Sequence, residues 1–259
     1  MKLIRVILVL LLYCTISRAQ IPTQTKGFFG QGQSIFNVTL DKPILKGQAV
    51  VAQIYAAGSQ WQPGPVCLAA SYYGDFCSYN LYDSQGNQFV QVNRDYTGLY
   101  YIPASKGGTE TITVAYSIPS PQNLSLIVMV FPVTLVLQDV AEPRCDFLPE
   151  GNQHQICNPW NSNMSDTWGE DTATLTSYTL TSSVPNELFI GGGSMAVSRP
   201  LTPSSGWSVP EWGGEQFLSY KTSGPVGTSE TFSVALSPPL GPEQYGYTSI
   251  QGFKAIPIQ

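Results

Sequence analysis

Acid–base and nucleophilic catalysis most often rests on an imidazole. This chain has one histidine, His154, in a polar stretch between Cys145 and Cys157. That setting describes an exposed loop residue. The run Gly191-Gly192-Gly193-Ser194 lacks the form of a nucleophile elbow. Paired carboxylates can cleave a glycosidic bond without histidine, and Glu187, Glu215 and Glu230 lie on or beside strand-like segments. Glu187 and Glu230 are the first pair to inspect, because they occupy related strands. No catalytic residue is assigned, and a carboxylate-dependent carbohydrate-active enzyme is the rival reading. Calcium would need hard oxygen donors. Asp139, Glu142, Asp146 and Glu150, or Asp166, Glu170 and Asp171, could offer them, but neither group has EF-hand spacing. These acids read as solvating residues, so no metal and no cofactor is expected.

Four cysteines, Cys67, Cys77, Cys145 and Cys157, follow the leader described below, and they contain no C-x-x-C knuckle for zinc. An even set in an exported chain reads as disulfides, with three connectivities open. Short separations favour Cys67–Cys77 and Cys145–Cys157, each closing a loop worth roughly 2–3 kcal/mol. Aromatic residues gather around these loops: Trp61, Tyr72 and Tyr73 with the first, Trp160 and Trp168 with the second. Trp207 and Trp212 bracket a third polar segment. Exposed rings on braced loops stack on sugar faces, joining an apolar surface to a polar tip. The bland alternative is that they cover the ends of a sandwich. The expected ligand is therefore an extracellular polysaccharide, or else a surface protein bound by an adhesion or structural domain.

Residues 1–19 have a basic start, an apolar run from Val6 to Tyr13 and small residues at Ser17 and Ala19, the pattern of a signal peptide cut before Gln20. The run is too short to span a bilayer, which takes about 20 residues. A secreted, cell-surface or periplasmic product follows, with no membrane span in the mature chain. Three of the twelve Lys and Arg (Lys2, Arg5, Arg18) lie in the leader, leaving nine against seventeen Asp and Glu. So acidic a chain lacks the basic face that nucleic acid requires.

These residues must be positioned by strands. Gly, Pro, Ser, Thr and Tyr are abundant, and apolar side chains alternate in short segments. Glu110–Ser117 is echoed by Glu230–Ser237, each after a Gly-Thr step and before a proline. The echo predicts an all-β chain, an antiparallel β-sandwich built from two related halves. Residues 20–32 read as a flexible arm. Residues 33–259 read as one sandwich, with halves 33–138 and 173–259 joined by the polar loop 139–172. Leu124–Leu137, bent at Pro132, is apolar enough to serve both halves. Asp83-Ser84-Gln85-Gly86-Asn87 reads as a hairpin turn, with Gly86 free to take a positive φ.

The Asp83-x-x-Gly86-Asn87 turn, the strand Gly108-Thr109-Glu110-Thr111-Ile112-Thr113-Val114, the opening Pro185-Asn186-Glu187-Leu188-Phe189-Ile190 and the closing Gly252-Phe253-Lys254-Ala255 together resemble β-sandwich modules of exported bacterial surface proteins. The resemblance implies a jelly-roll or immunoglobulin-like sandwich and supplies no catalytic residue. On a bacterial origin the sequons at Asn37, Asn123 and Asn163 would be accidental.

Overall fold

The computed structural model describes residues 20–30, 33, 35–57, 79–92, 98–116, 123–140, 172–195, 197–209, 211–213, 216–240 and 246–258. The leader, all four cysteines, His154, Trp61, Tyr72, Tyr73, Trp160 and Trp168 lie outside them. The described chain is all-β and antiparallel, and none of its residues is in a helix. Nor is any helix among the described residues long and apolar enough to cross a membrane.

The first half consists of β1 (Gln24–Gly30), β2 (Ile35–Thr39), β3 (Ala49–Ala57), β4 (Tyr79–Asp83), β5 (Val90–Gln91), β6 (Leu99–Ile102), β7 (Thr111–Tyr116) and β8 (Asn123–Phe131). The second consists of β9 (Val133–Val140), β10 (Thr172–Thr181), β11 (Leu188–Met195), β12 (Leu201–Pro203), β13 (Glu211–Gly213), β14 (Gln216–Thr222), β15 (Ser229–Leu240) and β16 (Gly246–Pro257). A five-stranded sheet β1-β8-β3-β6-β5 faces a three-stranded sheet β2-β7-β4. The second half repeats this order strand for strand, as β9-β16-β11-β14-β13 against β10-β15-β12. First strand beside last, third beside sixth, and second, seventh and fourth opposite is the order of a jelly roll whose fifth strand has joined the larger sheet. The echoed segments are β7 and β15, the same strand of each roll.

The single sandwich expected from sequence is instead two sandwiches stacked back to back. Each half encloses its own core: Phe36, Val38, Ile54, Ile112, Val114 and Val128 in the first, Leu175, Phe189, Phe217, Phe232, Val234 and Ile250 in the second. A third apolar layer, including Val51, Met129, Phe131, Ile190, Leu218 and Phe253, lies between the two five-stranded sheets. Alternation along β8 explains how: Leu126, Val128 and Val130 face the first core, while Ile127, Met129 and Phe131 face the second half. Both faces of β8 are therefore buried, which produces the continuous apolar run. Pro132 turns the chain directly into β9, so the second half begins at Val133 rather than after the polar loop.

Two further expectations need correction. Gln24–Gly30 forms β1, paired residue for residue with β8, so the expected arm is partly a strand. Asp83–Asn87 is not a hairpin turn, because β4 pairs with β7 and β5 with β6, and the segment crosses between sheets. Gly86 does take the positive φ, +64°. Gly191–Gly193 form the middle of β11. A Cβ at Gly191 would lie 2.4 Å from the Phe232 ring, and one at Gly192 would lie 2.9 Å from the Gln53 amide. Only glycine lets those side chains sit on the sheet.

Candidate functional site

In each half the connections leave alternately from two ends. The end carrying residues 40–48, 84–89, 103–110, 182–187, 204–209 and 223–228 consists of tight, hydrogen-bonded turns. Asp83 anchors one of them. Its carboxylate accepts from the Asn87 backbone N–H at 2.8 Å, from the Asn87 amide at 2.5 Å and from the Thr109 hydroxyl at 2.5 Å. Burial pushes the Asp83 carboxyl up, but these bonds and one from Gln85 N–H outweigh it and hold the group below the usual carboxylate range. The network is satisfied and structural.

The opposite end bears the long connections. Residues 58–78 leave from Ala57 at the end of β3, beside Asn123 of β8, and re-enter at Tyr79, beside Tyr116 of β7. Residues 141–171 leave from Val140, which runs toward this end but stops beside Gln251 midway along β16, and re-enter at Thr172, beside Leu240 of β15. β3 and β11 run in the same direction: Gly47, just before β3, is bound by Thr134 at the tight-turn end, and Gln53 farther along β3 reaches Gly193 toward the far end of β11. Both loop-bearing ends therefore point the same way and lie side by side. The chain segments carrying Trp61, Tyr72, Tyr73, Cys67 and Cys77, and those carrying Trp160, Trp168, Cys145 and Cys157, depart from one rim.

Trp207 is not part of that rim. It sits at the tight-turn end, 7% exposed, with its ring 4.6 Å from that of Phe232 and its indole N–H donating to Thr231 O at 3.3 Å. A stacking role at the surface is excluded for it, because the ring completes the second core. Trp212 lies on β13, opposite Phe217 of β14, at the edge of the inner sheet. No protein-family profile, curated protein or solved structure matches this chain. The site must be read from its own geometry.

The two acids singled out from sequence are engaged separately. Glu230 binds Lys221 at 2.6 Å. Glu187 is fully buried, with Oε2 accepting from Ser183 N–H at 2.9 Å and Oε1 lying over Gly252. The carboxylate that Glu187 senses is Asp139, and a β-bulge produces this encounter. Val133 and Leu135 face the first half, and strict alternation would send Asp139 the same way. The ladder instead passes from Leu137 opposite Phe253 to Asp139 opposite Gly252, skipping Gln138. Asp139 therefore shares the Gly252 face, the side on which Glu187 lies. Glu187 Oε1 and Asp139 Oδ2 are both buried without a hydrogen-bond partner among the described residues. Burial pushes the Glu187 carboxyl up, the Ser183 and Val184 N–H groups pull it back, and the Asp139 charge raises it again, for a net upward displacement. No group of three or more His, Cys, Asp or Glu among the described residues is placed to hold a metal ion.

Sequence reasoning missed a second feature, a polar layer between the inner sheets at the loop-bearing end. There Gln53 and Ser125 of the first half meet Ser194, Gln216, Ser249 and Gln251 of the second, all buried. Two bonds cross the layer: Gln53 Nε2–H to Gly193 O at 3.3 Å and Ser125 Oγ–H to Gln216 Oε1 at 3.0 Å. The available signal was a strand position holding glutamine where alternation calls for an apolar residue, as Gln251 does two before Phe253.

Proposed function

We propose that this protein is a non-catalytic, exported binding module that presents aromatic loops from one end of a double jelly roll to an extracellular glycan. The observation that carries the reading is the common rim: the connection bearing Trp61, Tyr72 and Tyr73 starts and finishes at one end of the molecule, and the connection bearing Trp160 and Trp168 sets out toward that end from Val140, midway along β16, and finishes there at Thr172. A rigid scaffold that sends its long connections to one end is how loops come to act together on one ligand. The separate engagement of Glu187 and Glu230 removes the support that hydrolysis drew from that pair. An immobilised glycan array probed with the full chain tests the reading. Retention of a polysaccharide by the parent, weakened at least tenfold in Trp61→Ala or Trp168→Ala, is the expected result. If the parent retains nothing, glycan recognition is wrong and protein adhesion takes its place.

A further inference from the structure

We infer that the seam between the two jelly rolls is itself a binding site, one that takes a neutral, hydroxyl-rich unit of a saccharide between its lips. This rests on the glycan reading above and places part of the ligand at residues of the two inner sheets. The seam has a gradient along the strands. Toward the tight-turn end it is apolar, with Tyr101 meeting Phe253 at 5.2 Å and Phe131 meeting Tyr220 at 6.1 Å. That end is also pinned by hydrogen bonds between the halves: Gln20 Nε2–H to Asn186 O at 2.5 Å, Thr134 Oγ1–H to Gly47 O at 3.1 Å and Leu135 N–H to Pro103 O at 3.0 Å. Phe131-Pro132-Val133, where the chain passes between halves, is at the same end.

Toward the loop-bearing end the seam turns polar over three successive rungs of the second half: Gln251 beside Ile190, Ser249 beside Gly192, and Gln216 beside Ser194. Six side-chain atoms there have no hydrogen-bond partner among the described residues: Gln53 Oε1, Ser194 Oγ, Gln216 Nε2, Ser249 Oγ, and both Nε2 and Oε1 of Gln251. A buried polar atom left without a partner is destabilising, and six are gathered in this one layer. Donors and acceptors supplied from outside, admitted by a small separation of the lips, would satisfy them. The apolar, pinned end acts as the pivot. Among the described residues the lining is amides and hydroxyls with no charged side chain, and it both donates and accepts, which matches the hydroxyls of a neutral sugar and not an anion or a cation. The opening faces the rim from which the aromatic loops leave.

The experiment is isothermal titration of the full chain with cellotetraose, maltotetraose, mannotetraose and triacetylchitotriose, repeated with Gln216→Leu, Gln251→Leu and the milder Ser194→Ala. In Gln251→Leu an amide with no partner among the described residues is removed from a buried place, so that variant should melt no lower than the parent, whereas Gln216→Leu also gives up the bond from Ser125 Oγ–H and is read only where it remains folded. The proposal expects one oligosaccharide to bind, with affinity reduced at least tenfold in both glutamine variants. It also expects slower amide exchange at Gly192, Gly193 and Gln216–Leu218 when that sugar is present. Binding that survives in folded seam variants but fails in Trp61→Ala or Trp168→Ala overturns the seam site and leaves the rim reading intact. Should the parent bind none of the four, the seam proposal falls, and the array decides separately whether the glycan reading falls with it.

Discussion

Gly252→Ala is the substitution whose cost follows most directly from the geometry. A Cβ at this position would lie 2.0 Å from Glu187 Oε1 and 2.8 Å from its Cδ, against 3.4 Å for the nearest ordinary contact, Leu180 Cδ2. The carboxyl group must therefore retreat by about 1.4 Å, the difference between 3.4 and 2.0 Å. It cannot do so freely, because Oε2 is tied to Ser183 N–H at 2.9 Å and the side chain is fully buried. Losing that bond costs about 1.5–3 kcal/mol, and overpacking a closed core adds about 1–3 kcal/mol. Alanine returns about 0.4–1 kcal/mol by restricting the unfolded chain. The net expectation is a loss of about 1.5–5.5 kcal/mol. In a Glu187→Ala background the obstacle is gone, and the same glycine substitution should cost about zero. Urea denaturation followed by far-ultraviolet circular dichroism, on the parent, both single variants and the double variant, gives the coupling energy directly. A cost below about 1 kcal/mol in the parent, or an equal cost in both backgrounds, would refute the placement of the Glu187 carboxyl over Gly252.

Glu187 and Asp83 should respond to pH with opposite signs. The Glu187 carboxyl is raised in the folded protein, so its contribution is complete below its unfolded value near 4.5 and is lost as pH rises through the folded value. Glu187→Gln should therefore flatten the decline in urea midpoint between pH 4.5 and 8, and an unchanged decline would count against the buried pair. The Asp83 carboxyl is lowered, so its contribution is present above 3.8 and disappears as pH falls through the folded value. Asp83→Ala should cost about 3 kcal/mol at pH 7 and remove part of the acid sensitivity, measured by the same denaturation at pH 2.5–5. Peptide mapping without reduction should recover Cys67 linked to Cys77 and Cys145 linked to Cys157. A fragment joining the two loops would defeat the local pairing.

Much of the scaffold was legible because its strands carry their own period. Ile112, Val114, Phe232 and Val234 alternate cleanly, and the match between β7 and β15 exposed the duplication. Leu124–Leu137 was read as central because both faces of β8 are apolar. β1 was not legible, since Gln24-Thr25-Lys26-Gly27 carries no apolar alternation and its register comes from β8. The glycines of β11 carry no strand signal of their own, because their reason lies far away in sequence, at Phe232 and Gln53. The seam was hidden for a related cause: Gln216 and Gln251 look like solvent-facing strand residues until a second sheet is laid over them. Trp207 misled because it follows Ser204-Ser205-Gly206, a turn composition, although its ring points inward. Asp139 could not be aimed from sequence, because one skipped residue, Gln138, decides its face.

The back-to-back stacking has a consequence for how the chain is made. By the time Phe131 has been synthesised every strand of the first half exists, yet Val51, Leu99, Tyr101, Ile127, Met129 and Phe131 form an uncovered apolar wall. β9 follows at once but, among the described residues, is an edge strand whose one sheet neighbour is β16, the last described strand in sequence. The wall therefore stays wet until β11 and β14 bring Leu188, Ile190 and Leu218 onto it, and its cover is completed only when β16 adds Phe253. A nascent chain held before that stage is a sticky intermediate, open to self-association or to capture by a holdase, and a chain truncated before Gly246 would lack the Phe253 part of the cover.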